Sequence, residues 1–384
     1  MSLDHNPTVL ICSEYGVRNG GENSCLSLLP GLRKQGFNFQ FAVPTPSEFA
    51  AELEQQGFEV AHFWTSFNGQ RRNAQEIEDH LASICNDPRI NVVHGNSLAI
   101  SRILGRIKSR IRCSVIGHLR DIIKISRKAI DDLNQLDRLI AVSQAVADWY
   151  LELGVDPQRI QVIHNGIDGQ KFQPAAATGY LHRELNLPAE TQLVLSVGQI
   201  GMRKGLDLTA RALARLKLDS PHLNFAWLIT GERNSIKDEA VELESNLHKF
   251  AETQDFATHL LGRRTDVNSM MNESSVLVHL ARQEPFGRVL LEAAAAGCPI
   301  VTTHVGGTEE MLHSCPTAKL LDVQELELVI SSAASAIGDW LESTQSSTLA
   351  TETRSIILNR FGLDHAVKSL SRVYSELLDF QSDS

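Results

Sequence analysis

The sequence predicts an α/β protein of two Rossmann-like, doubly wound domains. Its 384 residues suggest about two domains. Short apolar runs alternate with amphipathic helical spacing along nearly the whole chain. Both halves also open alike, with an apolar strand, a glycine-bearing loop and a helix. In the first half Thr8-Val-Leu-Ile-Cys-Ser13 runs into Glu14–Glu22. In the second, Thr191-Gln-Leu-Val-Leu-Ser-Val-Gly198 runs into Gln199-Ile-Gly-Met-Arg-Lys-Gly205.

Along the first half, helical spacing resumes at Leu26, Leu29 and Leu32, with Pro30 expected to kink that helix. Phe37, Phe39 and Phe41 alternate with polar residues as a strand does. Ala74–Ile84 reads as a helix, Asn91–His94 as a strand and Leu98–Lys108 as an amphipathic helix. Cys113–Gly117 reads as a strand ending in His118-Leu-Arg-Asp121. Arg138–Val142 is a further strand, with Ser143 the N-cap of the next helix. After Phe172-Gln-Pro174 the residues turn small and polar. The expected divisions are therefore a domain over 1–174, a linker over 175–190, a domain over 191–362 and a closing helical segment over 363–384.

Composition narrows the function. A net charge of −10 argues against general nucleic-acid binding. The six cysteines, Cys12, Cys25, Cys85, Cys113, Cys298 and Cys315, form no C-x-x-C pair and read as reduced, buried thiols of a cytosolic protein. No basic n-region precedes the first apolar run, and no run approaches the roughly 18 apolar residues of a spanning helix. The expected location is cytoplasmic. From Ser101 to Lys128 basic residues, Arg120 and Lys124 among them, face only Asp121 in sequence. That excess reads either as a solvated face or as contact with an anionic partner, such as a phosphate-bearing acceptor or the inner face of the cell membrane.

The chemistry gathers in the second half. Val276-Leu-Val-His-Leu280 reads as a buried strand, and the residues from Val289 to the helix stop at Gly297 and Pro299 read as a helix. Glu284 then sits in the loop at the carboxyl end of a strand, and Glu292 in the first turns of the following helix. In open parallel sheets that edge binds ligands, and helix N-termini there suit phosphate. Carboxylates only accept hydrogen bonds, so the pair suits hydroxyls, as in a sugar. Arg203 and Lys204 follow the first strand of this half at the same edge and would neutralise a diphosphate. Cations for a diphosphate and acids for hydroxyls together suit a nucleotide-sugar. No cluster with metal-ligand spacing stands out.

These motifs, with Leu261-Gly262, Asp266-Val267, the Glu-x7-Glu block Glu284-Pro-Phe-Gly-Arg-Val-Leu-Leu-Glu292 and Val305-Gly-Gly307, resemble the retaining GT-B glycosyltransferases of family 4. Gly20-Gly21, Val93-His94-Gly95-Asn96, His118 with Arg120-Asp121 and Val162–Asp168 resemble them in the first half. The resemblance implies two Rossmann-like domains facing across a cleft. The first would take the acceptor and the second the nucleotide-sugar, with residues 363–384 packing back on the first.

By the resemblance the protein is a hexosyltransferase, moving a hexose from a UDP- or GDP-sugar to a hydroxyl of a glycan or lipid-linked acceptor, in polysaccharide biosynthesis. Glu284 would hold the donor sugar, Phe286, Gly287, Arg288 and Val289 would meet sugar and diphosphate through their backbone, and Glu292 would hold the ribose. Arg203 and Lys204 would stabilise the departing diphosphate, Gly21 would lie against the phosphates, and His118 would donate to a hydroxyl or orient the acceptor. No cofactor or metal is implied. Gln199 stands where the family often has arginine, which leaves Arg203 to supply that guanidinium. A sugar-nucleotide epimerase or a non-catalytic sugar-nucleotide-binding protein remains an alternative on the same architecture.

Overall fold

A computed structural model describes residues 6–63, 66–67, 70–71, 73–233, 235–323, 325–343 and 347–382. The chain divides into two compact units, Met1–Gly166 with Leu363–Ser384, and Ile167–Gly362.

The first unit is built on a parallel sheet of β1 (Thr8–Cys12), β2 (Asn38–Pro44), β3 (Glu59–Phe63), β6 (Ile90–Gly95), β7 (Ser114–Leu119), β8 (Arg138–Ala141) and β9 (Ile160–Val162), in the order β3-β2-β1-β6-β7-β8-β9. The two-residue strands β4 (Ser66–Phe67) and β5 (Gln70–Arg71) pair antiparallel apart from it. Phe37, Phe39 and Phe41 are all buried, and so is Gln40 between two of them. A parallel strand covered on both faces needs partners on both, and Gln40 donates to Glu59 at 3.0 Å. The helix Leu363–Ser382 lays Val367, Leu370, Val373, Tyr374 and Leu377 into this unit's core.

Two local expectations change here. Gly20 and Gly21 are the first residues of the helix Gly20–Lys34, not part of a loop. Asn19 stands before the helix, and Glu22 reaches back to accept from the Asn19 amide at 3.1 Å. The helix runs on through Pro30 to Lys34. His118 lies inside β7 instead of beyond it, so its ring is buried between sheet neighbours.

The second unit carries a parallel sheet of β10 (Gln192–Val197), β11 (Phe225–Thr230), β12 (Thr258–Leu260), β13 (Val276–His279), β14 (Ile300–Thr303) and β15 (Ala318–Leu321), in the order β12-β11-β10-β13-β14-β15. Both sheets reverse direction of winding once, between β1 and β6 and between β10 and β13. Those are the switch points where loops diverge and leave room for a ligand.

The expected boundary at 174 and the linker at 175–190 are corrected. The unit boundary falls at Gly166/Ile167, and residues 175–190 are fastened to the second unit. Ala175 donates to Asn272 at 2.9 Å, Gly179 to Glu273 at 2.9 Å and the Tyr180 hydroxyl to Asp266 at 2.8 Å. Small polar residues here satisfy a neighbouring helix instead of forming a free tether.

Gly205 shows how closely the second unit's switch-point loops approach. It has φ +65°, and a Cβ there would stand 1.8 Å from the Leu280 carbonyl oxygen. The chain after β10 therefore rests directly on the chain after β13. Gly205→Ala is expected to destabilise this unit by about 2–4 kcal/mol, since it adds both the clash and an unfavourable backbone conformation. Denaturant unfolding against the unsubstituted protein checks this.

Candidate active site

In the second unit a charged cluster begins with the turn Met202–Lys204. It is stitched to the loop after β13 by Arg282, whose amide donates to the Arg203 carbonyl at 2.8 Å. The Arg282 guanidinium holds the Met202 carbonyl at 2.8 Å and grips Asp207 with both nitrogens at 2.7 and 2.6 Å. This places Lys204 Nζ 2.6 Å from Glu284 Oε2. His279, the last residue of β13, brings Nε2 to 2.7 Å from the same oxygen.

Burial alone would raise the Glu284 carboxyl. The Lys204 ammonium and the His279 hydrogen bond outweigh it and hold the group well below the usual carboxylate range. Burial lowers His279, and Lys204 and Arg203 add to that against the pull of Glu284, so the imidazole stays neutral. A carboxylate only accepts, so His279 carries its proton on Nε2 and donates it. Both partners use Oε2. The Glu284 carbonyl accepts from the Gly307 amide at 3.0 Å, which ties the Val305-Gly-Gly307 loop to the same place.

Gly287 precedes the helix Arg288–Ala296, whose first-turn amides lie at this sheet edge. Phe286 is buried, its ring edge-on to Phe361. Within the helix Arg288 donates to Glu292 at 3.1 Å. Burial raises the Glu292 carboxyl, while Arg288 and Lys171 pull it down. Arg203 is half-buried beside this cluster, and Gln199 is exposed. The structure thus brings Arg203, Lys204, Glu284, Phe286, Gly287, Arg288, Val289 and Glu292 to one edge, as the sequence implied. His279 was missed, because a histidine within an apolar run reads only as core.

In the first unit a polar cluster is organised by Arg120. Its Nε donates to the Asn96 carbonyl at 3.0 Å, Nη1 to Asn165 Oδ1 at 3.0 Å, and Nη2 to Asn96 Oδ1 at 2.8 Å and to His118 Nδ1 at 3.1 Å. Gly21 lies over the same side chain; a Cβ there would come within 3.1 Å of Arg120 Cδ. Arg120, expected as a contact for the acceptor or an anion, gives these four hydrogen bonds to internal acceptors and so orients the groups around it. Lys124 is exposed.

The basic stretch around these residues is also less basic in space than in sequence. Arg106 pairs with Glu78 at 2.6 Å, Lys108 with Asp137 at 3.1 Å, Arg110 with Asp79 at 2.8 Å and Arg127 with Asp131 at 3.2 Å.

Two buried donors in this cluster meet no partner among the described residues, His118 Nε2 and Asn96 Nδ2. Arginine has no acceptor to offer, so the His118 nitrogen facing it must accept and the proton sits on Nε2. Burial, Arg120 and His94 all depress the His118 imidazole, which is neutral. The cluster therefore holds two uncharged N–H donors whose partners are not among the described residues. Asn96 was quoted in a sequence motif without a role, and its open amide is visible only once Arg120 is seen to occupy its oxygen.

Among the described residues no group of three or more His, Cys, Asp and Glu could hold a metal, and no helix is long and apolar enough to cross a membrane. The six cysteines are buried and unpaired.

Lys204→Met should cost about 3 kcal/mol at neutral pH by leaving Glu284 buried without its cation. In the unsubstituted protein the lowered Glu284 pKa stabilises above the ordinary carboxylate range and is lost only as pH falls through the folded value. In the variant, burial raises the pKa instead, so the deficit should shrink between about pH 8 and about pH 5. Denaturant unfolding of both proteins across that range measures it.

Known proteins share both halves. Residues 18–171 match the family model described as Glycosyltransferase Family 4, and residues 180–343 match that described as Glycosyl transferases group 1. The lipopolysaccharide glucosyltransferase WaaG of Escherichia coli K12 is 32% identical over 176 residues, 44% of this chain and 44% of WaaG. A glycogen synthase of Mycobacterium tuberculosis is 33% identical over 179 residues, 46% of this chain and 40% of the synthase. These alignments span less than half the length of either relative. Among solved structures, HepE of Anabaena in complex with UDP and glucose superposes with a TM-score of 0.82 at 21% identity, covering 96% of this chain and 99% of that one. Sucrose-phosphate synthase from Thermosynechococcus elongatus does so with a TM-score of 0.75 at 16% identity, covering 97% and 99%. Identities this low speak for the fold alone. With both halves matched in order by glycosyltransferase models and the whole chain sharing the fold of such enzymes, the protein belongs to the family 4 glycosyltransferases of GT-B fold.

Proposed function

We propose that the protein is a retaining hexosyltransferase, moving a hexose from a nucleoside-diphosphate sugar to a hydroxyl of a glycan or lipid-linked acceptor. The observation that carries this reading is Glu284. It is buried and ionised, neutralised through Oε2 by Lys204 and His279, and left with Oε1 to accept. An acceptor beside cations suits a sugar hydroxyl attached to a diphosphate. UDP-sugars are the first donors to test, since HepE was solved with UDP-glucose; GDP-sugars come second.

Transfer builds positive charge on the anomeric centre and negative charge on the leaving phosphate. Lys204, Arg203 and the first-turn amides of the Arg288–Ala296 helix would stabilise that phosphate. Glu292 would accept from the ribose hydroxyls. His118 and Asn96 would donate to oxygens of the sugar or the acceptor. With retention, the leaving phosphate accepts the acceptor's proton on the face it leaves. Two side-chain cations supply the charge, so the reading needs neither metal nor cofactor. The ion pairs along the basic stretch leave a membrane role resting on few unpaired cations, and co-sedimentation with anionic liposomes at low salt tests it.

A thermal-shift screen of UDP- and GDP-sugars should give a rise in melting temperature with one donor. Proton NMR of the product made from that donor should show the anomeric configuration kept. Epimerised or hydrolysed donor without acceptor, or binding without turnover across a broad acceptor screen, would overturn the proposal. Glu284→Gln is expected to lower kcat about a hundredfold while the Kd of the bare nucleotide holds. Glu292→Gln should instead weaken nucleotide binding by about tenfold. Arg203→Ala and Lys204→Ala should each cut turnover severely, and near-normal rates in both would remove the diphosphate assignment.

A further inference from the structure

His118 is the end of a longer chain of hydrogen bonds. The Tyr374 hydroxyl, on the helix Leu363–Ser382, lies 2.7 Å from His94 Nδ1. His94 Nε2 lies 3.3 Å from His118 Nδ1, and the two imidazoles stack with centroids 5.4 Å apart and 13° between planes. All three side chains are buried.

The protons along this chain have one consistent arrangement. Arg120 donates to His118 Nδ1, so that atom carries a lone pair. His94 Nε2 faces the same lone pair and must bring a proton, since two lone pairs would repel. His94 Nδ1 is then the acceptor, and the Tyr374 hydroxyl, 2.7 Å away, brings the proton. Each bond runs toward His118, and the last N–H, on Nε2, meets no acceptor among the described residues.

We propose that Tyr374 and His94 are positioning residues, which together with Arg120 hold the His118 proton on Nε2, where no described residue accepts it and a ligand oxygen can. The rest of the environment agrees. Burial and Arg120 lower His94 to about 3, so it is neutral and needs a donor at one nitrogen. Burial raises the Tyr374 hydroxyl, with Cys25 adding to it, so the phenol keeps its proton. Cys25, the nearest thiol, is itself pushed up to about 12 by burial and stays uncharged. Edge-on contacts from Tyr374 to Phe37 and to His94 fix the ring that carries the hydroxyl.

Only the kinetic consequence rests on the transferase reading; the proton positions do not. Nitrogen-15 NMR of the full chain labelled at histidine should show His94 and His118 both neutral and both protonated on Nε2 at neutral pH. Tyr374→Phe keeps the ring and removes the hydroxyl. It should shift His94 toward the Nδ1-protonated form and speed solvent exchange of the His118 Nε2 proton. With a donor identified, it should lower kcat by about tenfold while donor KM and nucleotide Kd hold. A wild-type spectrum with His118 protonated on Nδ1, or a Phe variant with unchanged tautomers and unchanged kcat, overturns the proposal. If no donor is turned over, the wild-type spectrum still decides it, and the failure belongs to the transferase reading. The wild-type spectrum also decides it if the variant does not fold.

Discussion

A carboxylate removed from water must be neutralised where it sits, and Glu284 sets that requirement for the whole second unit. Its cation, Lys204, comes from a loop far away in sequence, so the loops after β10 and β13 have to touch. Gly205 permits the contact because nothing larger fits beneath the Leu280 carbonyl. Arg282 and Asp207 lock it from the side. His279 closes the remaining approach to Oε2 and adds no charge. Together these local features keep one buried carboxylate ionised.

The first unit solves the complementary problem with neutral groups. Arg120 is its cation, but its N–H groups are consumed by Asn96, Asn165 and His118. What it passes on is orientation. An amide whose oxygen is occupied must present its nitrogen, and an imidazole whose Nδ1 is occupied must present Nε2–H. The result is a pair of uncharged donors. Uncharged donors suit hydroxyl and ring oxygens without the desolvation cost of an exposed cation.

Much of the second unit was legible in the sequence because its signals are local. An apolar strand, a loop acid, an alanine-rich helix and a Gly-x-Pro stop place Glu284 and Glu292 on their elements, and the repeated strand–glycine–helix opening places Lys204 at the same edge. The boundary near 174 was misread because small polar residues look alike whether they are tethered or free; only Glu273 and Asn272, about a hundred positions on, reveal that 175–190 are held. The basic stretch stayed ambiguous for the same reason. Glu78, Asp79 and Asp137 neutralise it from other elements. Tyr374 lay beyond sequence reasoning altogether: it is 280 positions from His94 and sits in an apolar stripe where an aromatic residue reads as core.

The motifs of the first half were individually weak for a physical reason. His94-Gly95-Asn96, His118-Leu-Arg120, His164-Asn-Gly166 and Gly20-Gly21 are short sequences at loops and element ends that many folds contain. Their meaning lies in a shared contact. Asn96, His118 and Asn165 each present an acceptor to one guanidinium, and Gly21 leaves space for it. A planar fork of fixed geometry is needed to reach three such partners at once, which an ammonium does not supply. The four fragments are therefore one feature of the folded chain, and Arg120, which looked in sequence like a contact for an outside anion, is the residue that makes them so.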